Sequence, residues 1–183
     1  MCEATWPRLR PATNADCEPV ASLVYAVLAE HHLRPDPDGT DADLRDIEQS
    51  YLARGGLFCV LEEKDGSIIG SYGLYPVVAE GQQTAGQRPE ATTVSGLPPP
   101  AWEATCELRK MYLRRHYRGR GLGRLLLEDA LANARRLGFR RITLETASVL
   151  NEAIRLYEAY GFTPCRPDHL SPRCNQAYLL ELK

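Results

Sequence analysis

The chain has 183 residues, long enough to bury a core without staples and short enough to read as one domain over residues 1–183. Its 22 Lys+Arg against 24 Asp+Glu leave a formal net charge of −2, which excludes a nucleic-acid binder that is basic throughout. Apolar residues are 44% and charged residues 25%, which excludes global disorder.

The first residues, Met1-Cys2-Glu3-Ala4-Thr5-Trp6-Pro7, lack the apolar run of a secretory signal. The most apolar stretch, residues 20–29, is half as long as a bilayer span needs. The chain therefore reads as cytoplasmic and not membrane-bound. Its six cysteines contain no C-x-x-C pair, which argues against a zinc ribbon or a thioredoxin-type motif. They read as buried free thiols, a disulfide framework being the alternative. His31-His32 has no second ligand pair at helical spacing, so no metal is expected.

Arg8-Leu9-Arg10 alternates as a first strand. Asp16 is placed to cap a helix carrying Val20, Leu23, Val24, Val27 and Leu28. After a Pro- and Gly-rich loop, Thr40 or Asp41 starts a second helix through Leu44, Ile47, Tyr51 and Leu52, closed by Gly55-Gly56. Residues 57–61 form a strand, Asp65-Gly66 turns a hairpin, and residues 67–78 return. Residues 79–100, rich in Gly, Gln, Thr and Pro, form a long loop between the third and fourth strands. A fourth strand covers residues 105–113. A helix over residues 121–137 carries Leu122, Leu125, Leu126, Ala130, Leu131, Ala134 and Leu137 as its apolar set. A fifth strand covers residues 141–146. Asn151 is placed to cap a short helix bearing Ala153, Ile154, Tyr157 and Tyr160, stopped by Gly161, and a last strand spans residues 176–182. The order is β-α-α-β-β-β-α-β-α-β, an α/β mixed sheet with a right-handed parallel crossover late in the chain.

Residues 108–127 contain no acidic residue but hold Arg109, Lys110, Arg114, Arg115, Arg118, Arg120 and Arg124, seven of the 22 basic residues. Within them stands Arg118-Gly119-Arg120-Gly121-Leu122-Gly123-Arg124, at the junction of strand and helix. Glycines there let backbone approach a ligand, and the first N–H groups of the helix point outward with the positive end of its dipole. The pattern points to an anion site suited to a phosphate or pyrophosphate. A P-loop is excluded because Gly-Lys-Ser/Thr is absent, and the glycine order does not fit a dinucleotide fingerprint.

The spacing Arg118-x-x-Gly121-x-Gly123 resembles the acyl-CoA signature of the GNAT superfamily of N-acyltransferases. Its flanks are similar too: Glu107-Leu108-Arg109-Lys110-Met111-Tyr112-Leu113 before it, then Leu144-Glu145-Thr146 and residues 151–162 with their Leu156-Tyr157 and Gly161-Phe162 pairs. The resemblance implies a GNAT fold whose parallel fourth and fifth strands splay around acetyl-CoA, the acyl donor. It also implies a bulge in the fourth strand. The residues support that bulge independently. Cys106 and Leu108 have even parity and Met111 and Leu113 odd, and one extra residue near Arg109-Lys110 would put all four on one face. A twisted strand with one polar intrusion is the alternative.

By the same resemblance, the Met111-Tyr112-Leu113 backbone would pair with the pantetheine arm. The N–H groups of Arg118, Gly119, Arg120, Gly121, Leu122, Gly123 and Arg124 would hold the pyrophosphate, with arginine side chains adding attraction. Tyr157 matches the tyrosine that protonates the departing CoA sulfur, a core aromatic being the other reading. Asn151 matches a residue that touches the cofactor arm, a plain N-cap being the other. Glu107 is the base candidate, against an ion-pair partner of a nearby arginine or a water chain as base. Glu145 is structural or faces the acceptor. Tyr72 and Tyr75 are candidates to line the acceptor cleft, core packing being the other reading, and Arg34 with the loop that follows is a candidate to recognise an acidic acceptor group.

The expected activity is acetyl transfer from acetyl-CoA to a primary amine of a small molecule or protein. The alternative is a catalytically silent acyl-CoA sensor on the same fold. No nucleic-acid partner is expected, because no aromatic stacking platform accompanies the arginines. The amine acceptor is not named by the sequence, and a homodimer stays open.

Overall fold

The computed structural model describes residues 7–77, 105–167 and 169–183. The loop expected over residues 79–100 lies outside the described residues, as does Cys2. Strand β2 (Leu57–Glu62) explains the architecture. Its successive residues Phe58, Cys59, Val60 and Leu61 are all buried, because Phe58 and Val60 enter one apolar core and Cys59 and Leu61 the other. A strand apolar on both sides must lie between two layers.

The layers are helical. On one face packs α1 (Cys17–Glu30) through Val20, Leu23, Val24, Val27 and Leu28. On the other pack α3 (Leu122–Arg136) and α4 (Asn151–Ala159), the first through Leu126, Leu127, Ala130, Leu131 and Ala134. Between them runs a seven-stranded sheet in the order β1-β2-β3-β4-β5-β7-β6. Its other strands are β1 (Arg8–Pro11), β3 (Ile68–Val77), β4 (Thr105–Leu113), β5 (Arg141–Thr146), β6 (Thr163–Cys165) and β7 (Gln176–Glu181). Among the described strands only β4 and β5 are parallel, joined by α3 as crossover. Among the described residues no helix is long and apolar enough to cross a membrane.

Several expectations need correction. The second helix is not continuous. Ala42–Arg45 and Leu52–Arg54 are 3-10 turns on either side of the one-turn helix α2 (Ile47–Ser50). Asp46 is extended between them and accepts from the Gln49 N–H, which restarts the chain instead of continuing it. Leu52 is consequently exposed. Asp16 does not cap α1 with its side chain, because its carboxylate is taken by two bonds from Arg10 and one from the Thr13 N–H. Asn151 is the first helical residue of α4, and Leu150 is the cap position. On α3, Leu125 is exposed and Leu127 buried, reversing the expected choice. Strand β6 was not signalled, since three residues with a central proline can pair only at a sheet edge. Of the described cysteines, Cys59 and Cys106 are buried and Cys17, Cys165 and Cys174 half-buried, all unpaired.

Candidate active site

The site begins where sheet pairing stops. β4 and β5 pair at Thr105↔Arg141, Cys106↔Ile142 and Glu107↔Thr143, and no further. Beyond Glu107 the two strands diverge, leaving the edge of β4 from Leu108 to Leu113 without a β5 partner. Backbone N–H and C=O groups on such an edge can pair with a ligand, although the Lys110 carbonyl already accepts from Ser71 and the Leu113 carbonyl from Arg118. The gap is part of a cleft of about 810 Å³ lined by residues 107–113 of β4, Glu145 and Thr146 of β5 and the start of α4.

The bulge lies where parity placed it. On β4 the register against β3 runs from Gly73↔Arg109 to Ser71↔Tyr112, so Lys110 and Met111 together oppose Tyr72. Lys110 takes a left-handed φ of +52°. As a result Cys106, Leu108, Met111 and Leu113 all pack on the core beneath α3 and α4. Tyr112 packs toward the α1 side.

At one end of the cleft is the glycine turn. Gly119 and Gly121 have φ of +73° and +80°, and Gly121 is the residue from which α3 starts. Gly123 lies in the first turn of α3, where an added Cβ would meet only Leu156, at 3.7 Å. Arg118, Gly119 and Gly123 line the cleft, whereas Arg120, Gly121, Leu122 and Arg124 do not. Leu122 packs on the core, and Arg120 lies 5.5 Å from the Tyr117 ring centroid. The Arg118 side chain is largely committed to protein. Its Nε donates to the Leu113 carbonyl at 3.0 Å and its Nη1 pairs with Glu30 at 2.8 Å. It fastens the turn to the ends of β4 and α1, so an anion there would be met chiefly by backbone N–H groups.

Tyr157 stands across the gap on α4 and lines the cleft, with its ring packed in the core 5.7 Å from Phe162. No hydrogen bond to another described residue is among the influences on its hydroxyl. Burial, and secondarily the neighbouring Tyr112, push its pKa well up, so the phenol keeps its proton across the physiological range. Burial also pushes Tyr112 up, to about 12, against the opposing charge of Arg173. Asn151 is exposed and lines the cleft beside Glu152.

Glu107, Thr143 and Glu145 share the α1-side face of the sheet, opposite the buried Ile142 and Leu144. Glu107 lines the cleft, but its Oε2 accepts from both Nε and Nη2 of Arg109. Arg109 in turn lies over the Tyr75 ring at 3.9 Å. Glu145 lines the cleft as well, and its Oε2 accepts from the backbone and hydroxyl of Ser171. Tyr72 does not face the cleft. It is buried, and its hydroxyl donates to Asp129 of α3. Tyr75 packs edge-on against Tyr51, and neither it nor Arg34 lines the cleft.

A second set of cleft residues escapes sequence reasoning. Lys110 and Arg173 both reach Asp41, a fully buried carboxylate in the loop after α1, and Asp43 lies 3.2 Å from Lys110 Nζ. These positions are far apart in the chain, and no spacing rule connects them.

Residues 23–162, more than half of the chain, match the model of the "Acetyltransferase (GNAT) family". The chain belongs to the GNAT acetyltransferase family. An uncharacterized N-acetyltransferase of Escherichia coli, YjgM, is 33% identical over 158 residues, covering 85% of this chain and 81% of that protein. A GNAT-family acetyltransferase structure from Staphylococcus aureus Mu50 matches with a TM-score of 0.77 at 20% identity, covering 96% of this chain and 99% of that one. YncA of Salmonella typhimurium, solved with its cofactor acetyl-CoA, matches with a TM-score of 0.65 at 22% identity, covering 96% and 94%. These two likenesses are of fold. The chain is thus a GNAT N-acetyltransferase with the family's mixed sheet and parallel β4/β5 pair.

Proposed function

We propose that this chain, acting as one domain, transfers the acetyl group of acetyl-CoA to a primary amine of a small molecule or protein by direct attack on the thioester. The observation that carries the reading is the gap between β4 and β5, which has an unpaired strand edge along one wall, a glycine turn at one end and a protonated tyrosine on the facing helix. That YncA was solved with acetyl-CoA supports the same donor for this fold. In this reading the pantetheine arm adds to the β4 edge at Met111, Tyr112 and Leu113. The pyrophosphate meets the N–H groups around Gly119 and Gly123. The amine attacks the thioester carbon, the C–S bond breaks, and the Tyr157 hydroxyl gives its proton to the departing sulfur. Glu107, held in one orientation by Arg109, takes the proton that the amine loses.

Calorimetry with acetyl-CoA, followed by a panel of amines monitored by thiol release, tests the reading. Saturable binding with thiol release for at least one amine is expected. No saturable binding would sink it. Binding without release across the panel would favour the sensor alternative.

A further inference from the structure

Lys110 is where β4 leaves regular strand geometry, and the group that holds it there lies 69 positions earlier in the chain. Its φ of +52° is one that residues with a side chain rarely adopt. Its side chain is 4% exposed, and Nζ donates at 2.7 Å both to Asp41 Oδ1 and to the Thr40 carbonyl. Its own carbonyl accepts from Ser71 Oγ at 2.8 Å. The Asp41 side chain is 0% exposed. Besides Lys110 it accepts two bonds from the Arg173 guanidinium and one from the Asp36 N–H, which fills its acceptor capacity.

A buried ammonium deprived of its anions is costly, so Nζ is pinned, by Asp41 at 2.7 Å and more loosely by Asp43 at 3.2 Å. Pinning the end of the side chain restricts the direction of the Cα–Cβ bond at residue 110. The parity change between Leu108 and Met111 requires one extra residue between them but does not decide which position takes the left-handed conformation. We propose that Asp41 is a positioning residue for the cofactor strand. Through Lys110 it fixes the bulge at that one position, and so the register at which Met111, Tyr112 and Leu113 present their backbone to the cleft. The proposal rests on the reading that acetyl-CoA lies along β4.

The test compares Lys110→Met with Lys110→Gly in the full chain. Both remove the ammonium from Asp41, so the lost charge cancels between them; glycine in addition gives up the buried side-chain packing that methionine keeps, a loss that opposes the expected gain in affinity. They differ in that glycine adopts the left-handed conformation freely and methionine does not. Acetyl-CoA affinity by calorimetry is expected to fall about tenfold in Lys110→Met and to be about fivefold tighter in Lys110→Gly than in Lys110→Met. Adenosine 3′,5′-bisphosphate, which lacks the pantetheine arm, is expected to bind both variants within about twofold of wild type. Equal acetyl-CoA affinity in the two variants overturns the proposal. So does a bisphosphate affinity that falls as far as that of acetyl-CoA, since the register of β4 acts on the pantetheine arm and reaches the turn at 118–123 only through the Arg118–Leu113 bond. If Lys110→Met does not fold, Asp41→Asn is compared with Asp41→Asn/Lys110→Gly. Recovery of affinity on adding glycine supports the proposal, and no recovery overturns it. Wild-type protein that does not bind acetyl-CoA defeats the functional reading itself, and this one with it.

Discussion

Tyr157 and Glu107 line one cleft but have opposite surroundings. The Tyr157 hydroxyl lines the cleft without a hydrogen bond to another described residue and is held protonated by burial, so it is available to donate. Tyr157→Phe removes one oxygen and no hydrogen bond to another described residue. It is expected to lower kcat about 10- to 100-fold while acetyl-CoA affinity stays within about twofold, read by thiol-release kinetics beside calorimetry. A kcat within twofold of wild type would return Tyr157 to the role of a core aromatic. Glu107 is bound to Arg109, as an ion-paired residue would be, and also faces the cleft. Glu107→Gln is expected to cut kcat/KM about tenfold or more if it carries the proton. An unchanged kcat/KM would assign proton removal to water and leave Glu107 as a structural partner of Arg109.

At the scale of elements, the glycine turn and the first turn of α3 ask different things of their glycines. Gly121 needs its positive φ to start the helix, and Gly123 is helical with room for a methyl group. Gly121→Ala is expected to destabilise the fold by about 1–2 kcal/mol, seen as a lower urea midpoint. Gly123→Ala is expected to leave that midpoint unchanged or raise it, since alanine is worth about 1 kcal/mol over glycine within a helix. It should still weaken acetyl-CoA binding, because the methyl group stands where the ligand backbone contact is proposed. A Gly123→Ala variant with undiminished affinity would move the pyrophosphate away from this turn.

On the scale of the molecule, the buried Asp41 cluster ties the loop after α1, the β4 bulge and the segment before β7 into one wall. Burial pushes the Asp41 pKa up, but the bonds from Arg173 and Lys110 outweigh it and hold the carboxyl at about 2, below its ordinary 3.8. A depressed folded-state pKa contributes stability that is complete above the ordinary value and is lost as pH falls through about 2. The contribution is about 2 kcal/mol. Between about pH 4 and pH 2, the unfolding free energy of wild type should therefore fall more steeply than that of Asp41→Asn. Parallel slopes in urea titrations across that range would contradict this.

Much of the frame was legible in the sequence. Periodicity placed β4, β5 and α3 to within a residue or so, because each is bounded by glycine or charge and carries a long, regular apolar pattern. Parity located the bulge, because a one-residue slip changes which face every later side chain occupies. Spacing located the glycine turn. The sequence by itself thus determined the order of the main elements, without β6 and with the second helix unbroken, and the address of the glycine turn, both local properties of contiguous residues. It misread the segment over residues 41–54, where Asp41, Asp43 and Asp46 make tertiary and capping bonds that override helical periodicity. Only the tertiary structure decided which arginines face the cleft, that Arg118 is spent on Glu30, and that Asp41, Lys110 and Arg173 meet. The physical reason is range. A buried charge selects its partners by proximity and desolvation after the chain has folded, and those partners lie 69 and 132 positions away.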